Sequence, residues 1–224
     1  MDEYYSQKLS ANKLKRCYDI APPRIQQYLT AEVEYVLLQI QSHETILELG
    51  CGYGRVLKPL AKKAAKVYGI DTSKESLILA EKYLQEFRNV ELQQMNAKSL
   101  TFEDKKFDSV IAIQNGISAF KVDPINLVKE SIRVTKSGGR IILSSYSDKI
   151  WQERLDWFIK QSEEGLLGEL DFNQTKNGKI VCKDGFKATT FTKNDFKKLI
   201  STIKVNAKIE EIDNSSIFCI INVD

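Results

Sequence analysis

The stretch Ile46-Leu-Glu-Leu-Gly-Cys-Gly-Tyr-Gly-Arg55, followed by Val67-Tyr-Gly-Ile-Asp71, decides how this chain folds. An apolar run ending in an acid and three glycines at alternate positions reads as a strand entering a tight turn. A helical pattern opens at once, from Arg55 to Lys66, and a second short apolar run closes on Asp71. Asp71 lies about twenty residues beyond Gly50, the spacing at which an acid reaches ribose hydroxyls. Glycines that admit a ligand close to the backbone, a helix N-terminus and a carboxylate at that distance together suit an adenosine-bearing ligand. The turn is G-x-G-x-G with Arg55 where a dinucleotide fingerprint needs its last glycine, and Glu48 ahead of it. A carboxylate there opposes a pyrophosphate and suits a ligand with a cationic part, so an NAD-dependent oxidoreductase is the weaker reading.

Outward from this stretch, strands and helices alternate. Strands are expected at 45–49, 67–71, 90–94, 107–113 and 139–145, with helices at 55–66, 74–87 and 123–134. That rhythm predicts a doubly wound, mostly parallel α/β sheet. Upstream, Tyr4 to Tyr18 reads as one helix, and a second starts at Pro22-Pro23 with Ile25, Tyr28, Leu29, Val33, Val36 and Ile40 at helical spacing. Downstream, Trp151 to Gln161 is amphipathic, Ile180–Thr190 suggests a hairpin, and Thr192 with Asp195 is a helix-start signal. Two alternating runs, 205–212 and 216–223, joined through Asp213-Asn214-Ser215, predict a closing antiparallel hairpin and a seven-stranded sheet. The expected organisation is an N-terminal helical lid (1–44), a cofactor-binding core (45–146), an insertion covering the acceptor pocket (147–190), and a closing helix and hairpin (191–224) of the same domain.

Four landmarks in order carry a family resemblance: Glu48-Leu-Gly-Cys-Gly-Tyr-Gly54, Gly69-Ile-Asp-Thr-Ser73, Phe107-Asp-Ser-Val-Ile-Ala-Ile113 and Arg133-Val-Thr-Lys-Ser-Gly-Gly-Arg-Ile-Ile-Leu-Ser144. Across roughly residues 46–146 the chain resembles the class I S-adenosylmethionine-dependent methyltransferases, whose first motif is (D/E)-x-G-x-G-x-G. The resemblance implies a Rossmann-like methyltransferase fold, S-adenosyl-L-methionine as cofactor, and methyl transfer to an acceptor that the motifs do not name. It places Glu48, Gly50, Cys51, Gly52 and Gly54 around the methionine part, Asp71 at the ribose, Asn96 and Ala97 at the adenine, and Thr72 among the cofactor-binding residues. An aspartate often stands where this chain has Asn96, whose amide oxygen also accepts a proton. Gln114 and Asn115, after the fourth strand, fall where cofactor and acceptor meet.

Acceptor contacts are expected from Tyr18, Arg24, Tyr28, Asn115, Tyr146 and Trp151, with Arg24 also placed to pair with the cofactor carboxylate. No catalytic base stands out; the single histidine, His43, precedes the first strand and so sits at the edge opposite the site. The loop Gln114-Asn115-Gly116-Ile117 lacks the N-P-P-Y pattern of base and glutamine methylation and has no carboxylate for a metal. These absences favour a small-molecule acceptor. An RNA or protein methyltransferase, or a non-catalytic S-adenosylmethionine-binding protein, is the alternative.

Composition agrees with that frame. The 224 residues, 42% apolar and 28% charged, suit one globular domain. A net charge of +3 with scattered lysines disfavours a nucleic-acid partner. Cys17, Cys51, Cys182 and Cys219 form no paired motif, so neither zinc nor a disulfide framework is expected, and a reducing cytoplasm is. No apolar run reaches the roughly 20 residues of a membrane span.

Overall fold

A computed structural model describes Tyr4 and residues 8–224. Its centre is a seven-stranded sheet made of β1 (Thr45–Leu49), β2 (Lys66–Asp71), β3 (Val90–Gln94), β4 (Phe107–Ala112), β5 (Thr135–Tyr146), β8 (Ala207–Ile212) and β9 (Ser216–Asn222). The order across it is β3-β2-β1-β4-β5-β9-β8. The first five strands pair in parallel, and β9 lies antiparallel between β5 and β8. Strand order reverses between β1 and β4, and the crevice beyond their carboxyl ends is where such sheets bind ligands.

Side chains alternate across the sheet with the strand period of two. Leu47, Leu49, Val110 and Ala112 face one core, with Leu127, Val128, Phe196 and Leu199 from α6 (Pro124–Val134), which follows the short α5 (Gly116–Ala119), and α8 (Lys193–Ile203). Ile46, Ile111 and Ile113 face the other, against Leu57 and Leu60 of α3 (Leu57–Lys63) and Leu77 and Ala80 of α4 (Lys74–Tyr83). Val36 and Ile40, at the end of α2 (Pro23–Gln39), complete that face. Phe102 and Phe107 meet edge-on at 4.9 Å, a contact worth about 1 kcal/mol beyond the area it buries.

A third apolar cluster lies off the sheet. It joins Cys17 of α1 (Ala11–Asp19) and Ile25, Tyr28 and Leu29 of α2 to Tyr146, to Trp157 and Phe158 of α7 (Trp151–Glu163), and to Phe186. Phe186 sits in the turn of a separate two-stranded hairpin, β6 (Lys179–Val181) and β7 (Lys187–Thr189). The N-terminal helices and the 148–189 segment therefore pack on one another, and on Tyr146 at the end of β5.

Several boundaries differ from the sequence reading. The single helix expected over Tyr4–Tyr18 is broken: Tyr4 is helical, a turn at Lys8 and a bend at Leu9 follow, and a helix runs from Ala11, whose φ is 48°, to Asp19; residues 5–7 of the expected helix lie outside the described residues. Here Ala11 N–H donates to Ser76 Oγ (3.0 Å), which ties α1 to α4. The helix after the glycine turn starts at Leu57, since Gly50–Arg55 remain in the turn. The closing hairpin turns at Asp213 and Asn214, both with positive φ (55° and 50°), the geometry a tight hairpin requires.

Candidate active site

Gly50 and Gly52 have φ of +70° and +53°, a region that L side chains rarely adopt. A Cβ on Gly50 would meet the Phe120 ring at 2.4 Å, so both backbone geometry and close packing exclude a side chain there. The turn is locked onto its neighbouring strand. Cys51 N–H donates to Ile70 O (2.9 Å), and Gly52 N–H to Asp71 Oδ2 (2.9 Å). Asp71 Oδ1 also accepts from Ser73 N–H (2.8 Å), while Ser73 itself caps α4 through its Oγ. Each Asp71 oxygen keeps a further lone pair toward the crevice. Burial raises the Asp71 pKa despite these bonds.

This turn forms one wall of a cavity of about 720 Å³. Of the cofactor residues expected from sequence, Glu48, Gly50, Cys51, Gly52, Asp71, Thr72, Asn96, Ala97 and Gln114 line it. Gly54 does not: its Cα faces Leu84 and Ala80, and it serves the turn. Asn96 Oδ1 accepts from Lys98 N–H (2.9 Å), which fixes the amide and leaves that oxygen one more lone pair.

Glu48 is 5% exposed, and its Oε2 has no hydrogen-bond partner among the described residues. Burial pushes its pKa up to about 8, against the pull of Arg55. Arg55 lines the same wall, its guanidinium 5.0 Å above the Tyr18 ring, with Nε and Nη2 buried and unpartnered among the described residues. A carboxylate held neutral and a guanidinium with no carboxylate bonded to it are costly to bury. A ligand presenting an ammonium and a carboxylate together satisfies both.

The loop after β4 is strained: Gln114 and Asn115 have φ of 55° and 63° without being glycine. Its hold is Glu32, a fully buried carboxylate of α2. Gln114 N–H donates to Glu32 Oε2 (3.0 Å) and to Ser144 Oγ (2.8 Å), and Ser216 Oγ donates to Glu32 Oε1 (2.9 Å). Burial raises the Glu32 pKa to about 7, even with these donors lowering it. The Gln114 side chain reaches the cavity, where its Oε1 accepts from Tyr18 OH (3.1 Å) and its Nε2 is unpartnered among the described residues.

Of the expected acceptor residues, Tyr18 and Tyr146 face the cavity and four do not. Arg24 is committed to Asp213 of the closing hairpin, through Nη1 to Oδ2 (2.6 Å) and Nη2 to the carbonyl (2.7 Å). Tyr28 is fully buried behind Tyr146, ring centres 5.2 Å apart. Asn115 turns inward, donating to Thr189 O (2.9 Å) and accepting from Ser145 Oγ (2.7 Å). Trp151 packs outside the cavity against Arg154. Six residues further along α7, Trp157 takes the cavity position instead, donating from Nε1 to Cys17 O (2.9 Å).

Sequence reading therefore missed Arg55, Glu32, Trp157, Phe158, Gln161 and Phe186. Signals existed for three of them. Arg55 stands inside the decisive motif, Glu32 interrupts the buried stripe of α2 at i+4 from Tyr28, and Gln161 lies at i+4 from Trp157. His43 is exposed before β1, away from the cavity. Among the described residues no three His, Cys, Asp or Glu side chains come together as metal ligands, and no helix is long and apolar enough to cross a membrane.

Known proteins resemble this chain in sequence and in fold. A family profile described as "Methyltransferase domain" matches residues 46–139. An uncharacterized protein of Methanocaldococcus jannaschii is 30% identical over 168 residues, covering 72% of this chain and 74% of its own. The ubiquinone biosynthesis O-methyltransferase of Nitrosomonas europaea is 29% identical over 105 residues, 46% of this chain. That match spans only 44% of the enzyme's length. In fold, a crystal structure of a SAM-dependent methyltransferase from Methanosarcina mazei superposes with a TM-score of 0.63 at 23% identity, covering 84% of this chain and 97% of that one.

Proposed function

This chain belongs to the class I S-adenosylmethionine-dependent methyltransferases, and from that premise we propose that it methylates a small-molecule acceptor enclosed beneath its N-terminal helices. S-adenosylmethionine supplies a methyl group on a positively charged sulfur, which an acceptor lone pair displaces in line. The chain's own part is to bind, align and exclude water.

Asp71 receives the ribose hydroxyls with its remaining lone pairs, and Thr72 lies beside it. Asn96 and Ala97 take the adenine. Glu48 takes the cofactor ammonium and Arg55 its carboxylate; Arg55 replaces Arg24, which the closing hairpin occupies. Gln114 stands between the two ends of the cavity, with Glu32 holding its backbone. The observation that carries this reading is that Glu48 Oε2, Arg55 Nε and Arg55 Nη2 are all buried and unpartnered among the described residues, on one wall with Asp71.

Three features support a small acceptor. Residues 1–44 and 147–190 act as a cover over the core formed by 45–146 and 191–224. The cavity they enclose is of the size that drug-sized ligands fill. A matched relative, the Nitrosomonas enzyme, bears a name that assigns it a small-molecule pathway. Four buried free thiols suit the reducing cytoplasm. Calorimetry against S-adenosylhomocysteine, S-adenosylmethionine and NAD tests the proposal. The two sulfur nucleosides should bind and NAD should not; NAD binding alone would overturn it.

A further inference from the structure

Helix α1 belongs to both ends of the cavity. Leu14 lines it beside the glycine turn, where a Cβ on Gly52 would stand 3.1 Å from Leu14 Cδ2. One turn on, Cys17 and Tyr18 line it beside Trp157, whose indole donates to Cys17 O. Side chains hold the helix at its two ends, and both holds lead back to residues assigned above to the cofactor. At the N-terminal end a chain of hydrogen bonds starts on the ribose acid. Ser73 N–H donates to Asp71 Oδ1 (2.8 Å), Ser76 N–H to Ser73 Oγ (3.1 Å), and Ala11 N–H to Ser76 Oγ (3.0 Å). Ser10 Oγ donates to Glu75 Oε2 (3.1 Å) alongside. At the C-terminal end Tyr18 OH donates to Gln114 Oε1 (3.1 Å), and the Arg55 guanidinium lies 5.0 Å from the Tyr18 ring centre.

Helix α2 is held elsewhere, by Arg24 on Asp213 and by Glu32 on Ser216, both in the closing hairpin. Between the two helices Ile20 and Ala21 precede Pro22-Pro23, whose fixed φ stiffens the chain on the α2 side. A swing of α1 therefore pivots at Ile20–Ala21 and leaves α2 in place.

Resting on the methyltransferase reading above, we infer that α1 is a door that the bound cofactor shuts, so that the acceptor site is completed once the cofactor is in place and the acceptor binds second. A ligand seated on Asp71 and Gln114 immobilises the partners at both ends of α1 at once. The helix is then ordered before the acceptor arrives. A molecule resting on Cys17 and Tyr18 no longer bears that ordering cost, which is positive coupling between the two ligands. In the opposite direction, a loosened α1 uncovers Gly52 and speeds cofactor release.

Hydrogen–deuterium exchange on the full chain, with and without saturating S-adenosylhomocysteine, reads the door directly. Amides of residues 14–20 should exchange at least about fivefold more slowly with the ligand bound, while those of α2 change far less. Ser76→Ala removes the middle link of the chain. The ligand should still bind, most of the added protection of α1 should vanish, and stopped-flow tryptophan emission should show release about five- to tenfold faster. Tyr18→Phe keeps the ring and cuts the other hold. It should act in the same direction, so either variant carries the test if the other fails to fold. Equal exchange of α1 with and without ligand, or full protection and unchanged release in the variants, would overturn the inference and leave the cofactor reading intact. Failure of S-adenosylhomocysteine to bind the unaltered chain would remove the premise instead.

Discussion

The two halves of the cavity solve opposite problems. At one half, backbone and charge do the holding: the glycine turn, Asp71 and the Glu48–Arg55 pair all come from the ends of β1 and β2. At the other, rings from α1, α7, the end of β5 and the β6–β7 turn form an aromatic wall, with Arg55 against Tyr18 and Arg154 against Tyr146. The first half rests on the parallel sheet, so its parts are placed by hydrogen-bonded strands. The second half is assembled from elements far apart in sequence that meet only through side-chain packing. On the proposed reading, the sheet-borne half serves the unchanging cofactor and the packed half is the part free to vary with the acceptor.

Glu32 joins the halves, and removing it should produce the largest effect. Glu32→Ala strands the Gln114 N–H and the Ser216 hydroxyl and leaves a void, for an expected loss of about 2–4 kcal/mol in urea unfolding. Glu32→Gln, which keeps the volume and one acceptor, should recover most of that. Equal losses for the two would mean that the carboxylate only fills space.

Next in size is Asp71→Ala, expected to weaken S-adenosylhomocysteine binding by about 1–3 kcal/mol. Unchanged cofactor affinity would refute the ribose assignment.

A pH titration sharpens the charged half further. Glu48 holds its proton up to about pH 8 in the free protein, so an incoming ammonium must expel it at lower pH. Affinity for S-adenosylhomocysteine should therefore rise from pH 6 to 7.5, by at most about tenfold per unit. Calorimetry in buffers of different ionisation enthalpy should detect the released proton, and Glu48→Gln should flatten the profile. The free protein should behave in the reverse sense. Glu32 and Glu48 both have raised values, so their contribution falls as pH climbs from the ordinary carboxyl range near 4.5 toward 7 and 8.

The smallest effect is a control outside both halves. Thr192 and Asp195 form a reciprocal cap at the start of α8, and Thr192→Ala should cost about 1 kcal/mol of stability without touching ligand binding.

The sheet was legible because its signals are local. Strand periodicity, the glycines before Arg55 and the Asp213-Asn214 turn each depend on neighbours in the chain, and all strands of the parallel core appear within a few residues of their expected limits. The charged half of the cavity inherits that legibility, since Glu48 and Asp71 end their strands. The aromatic half does not. Whether Trp151 or Trp157 faces inward depends on how α7 is rotated against α1, which no local pattern encodes. Arg24 looked available because its partner, Asp213, lies at the far end of the chain. Asn115 looked like a site residue until Thr189 and Ser145 claimed both ends of its amide.

Both tryptophans of the chain, Trp151 and Trp157, lie on α7, and none lies near the glycine turn. Trp157 forms part of the aromatic wall itself, with its indole N–H fixed on Cys17 O. Trp151 packs outside the cavity, so the one indole that lines it, Trp157, stands in the aromatic half. Its ultraviolet emission should respond to whatever fills that half, so a library of unlabelled compounds can be screened for the proposed acceptor by quenching alone.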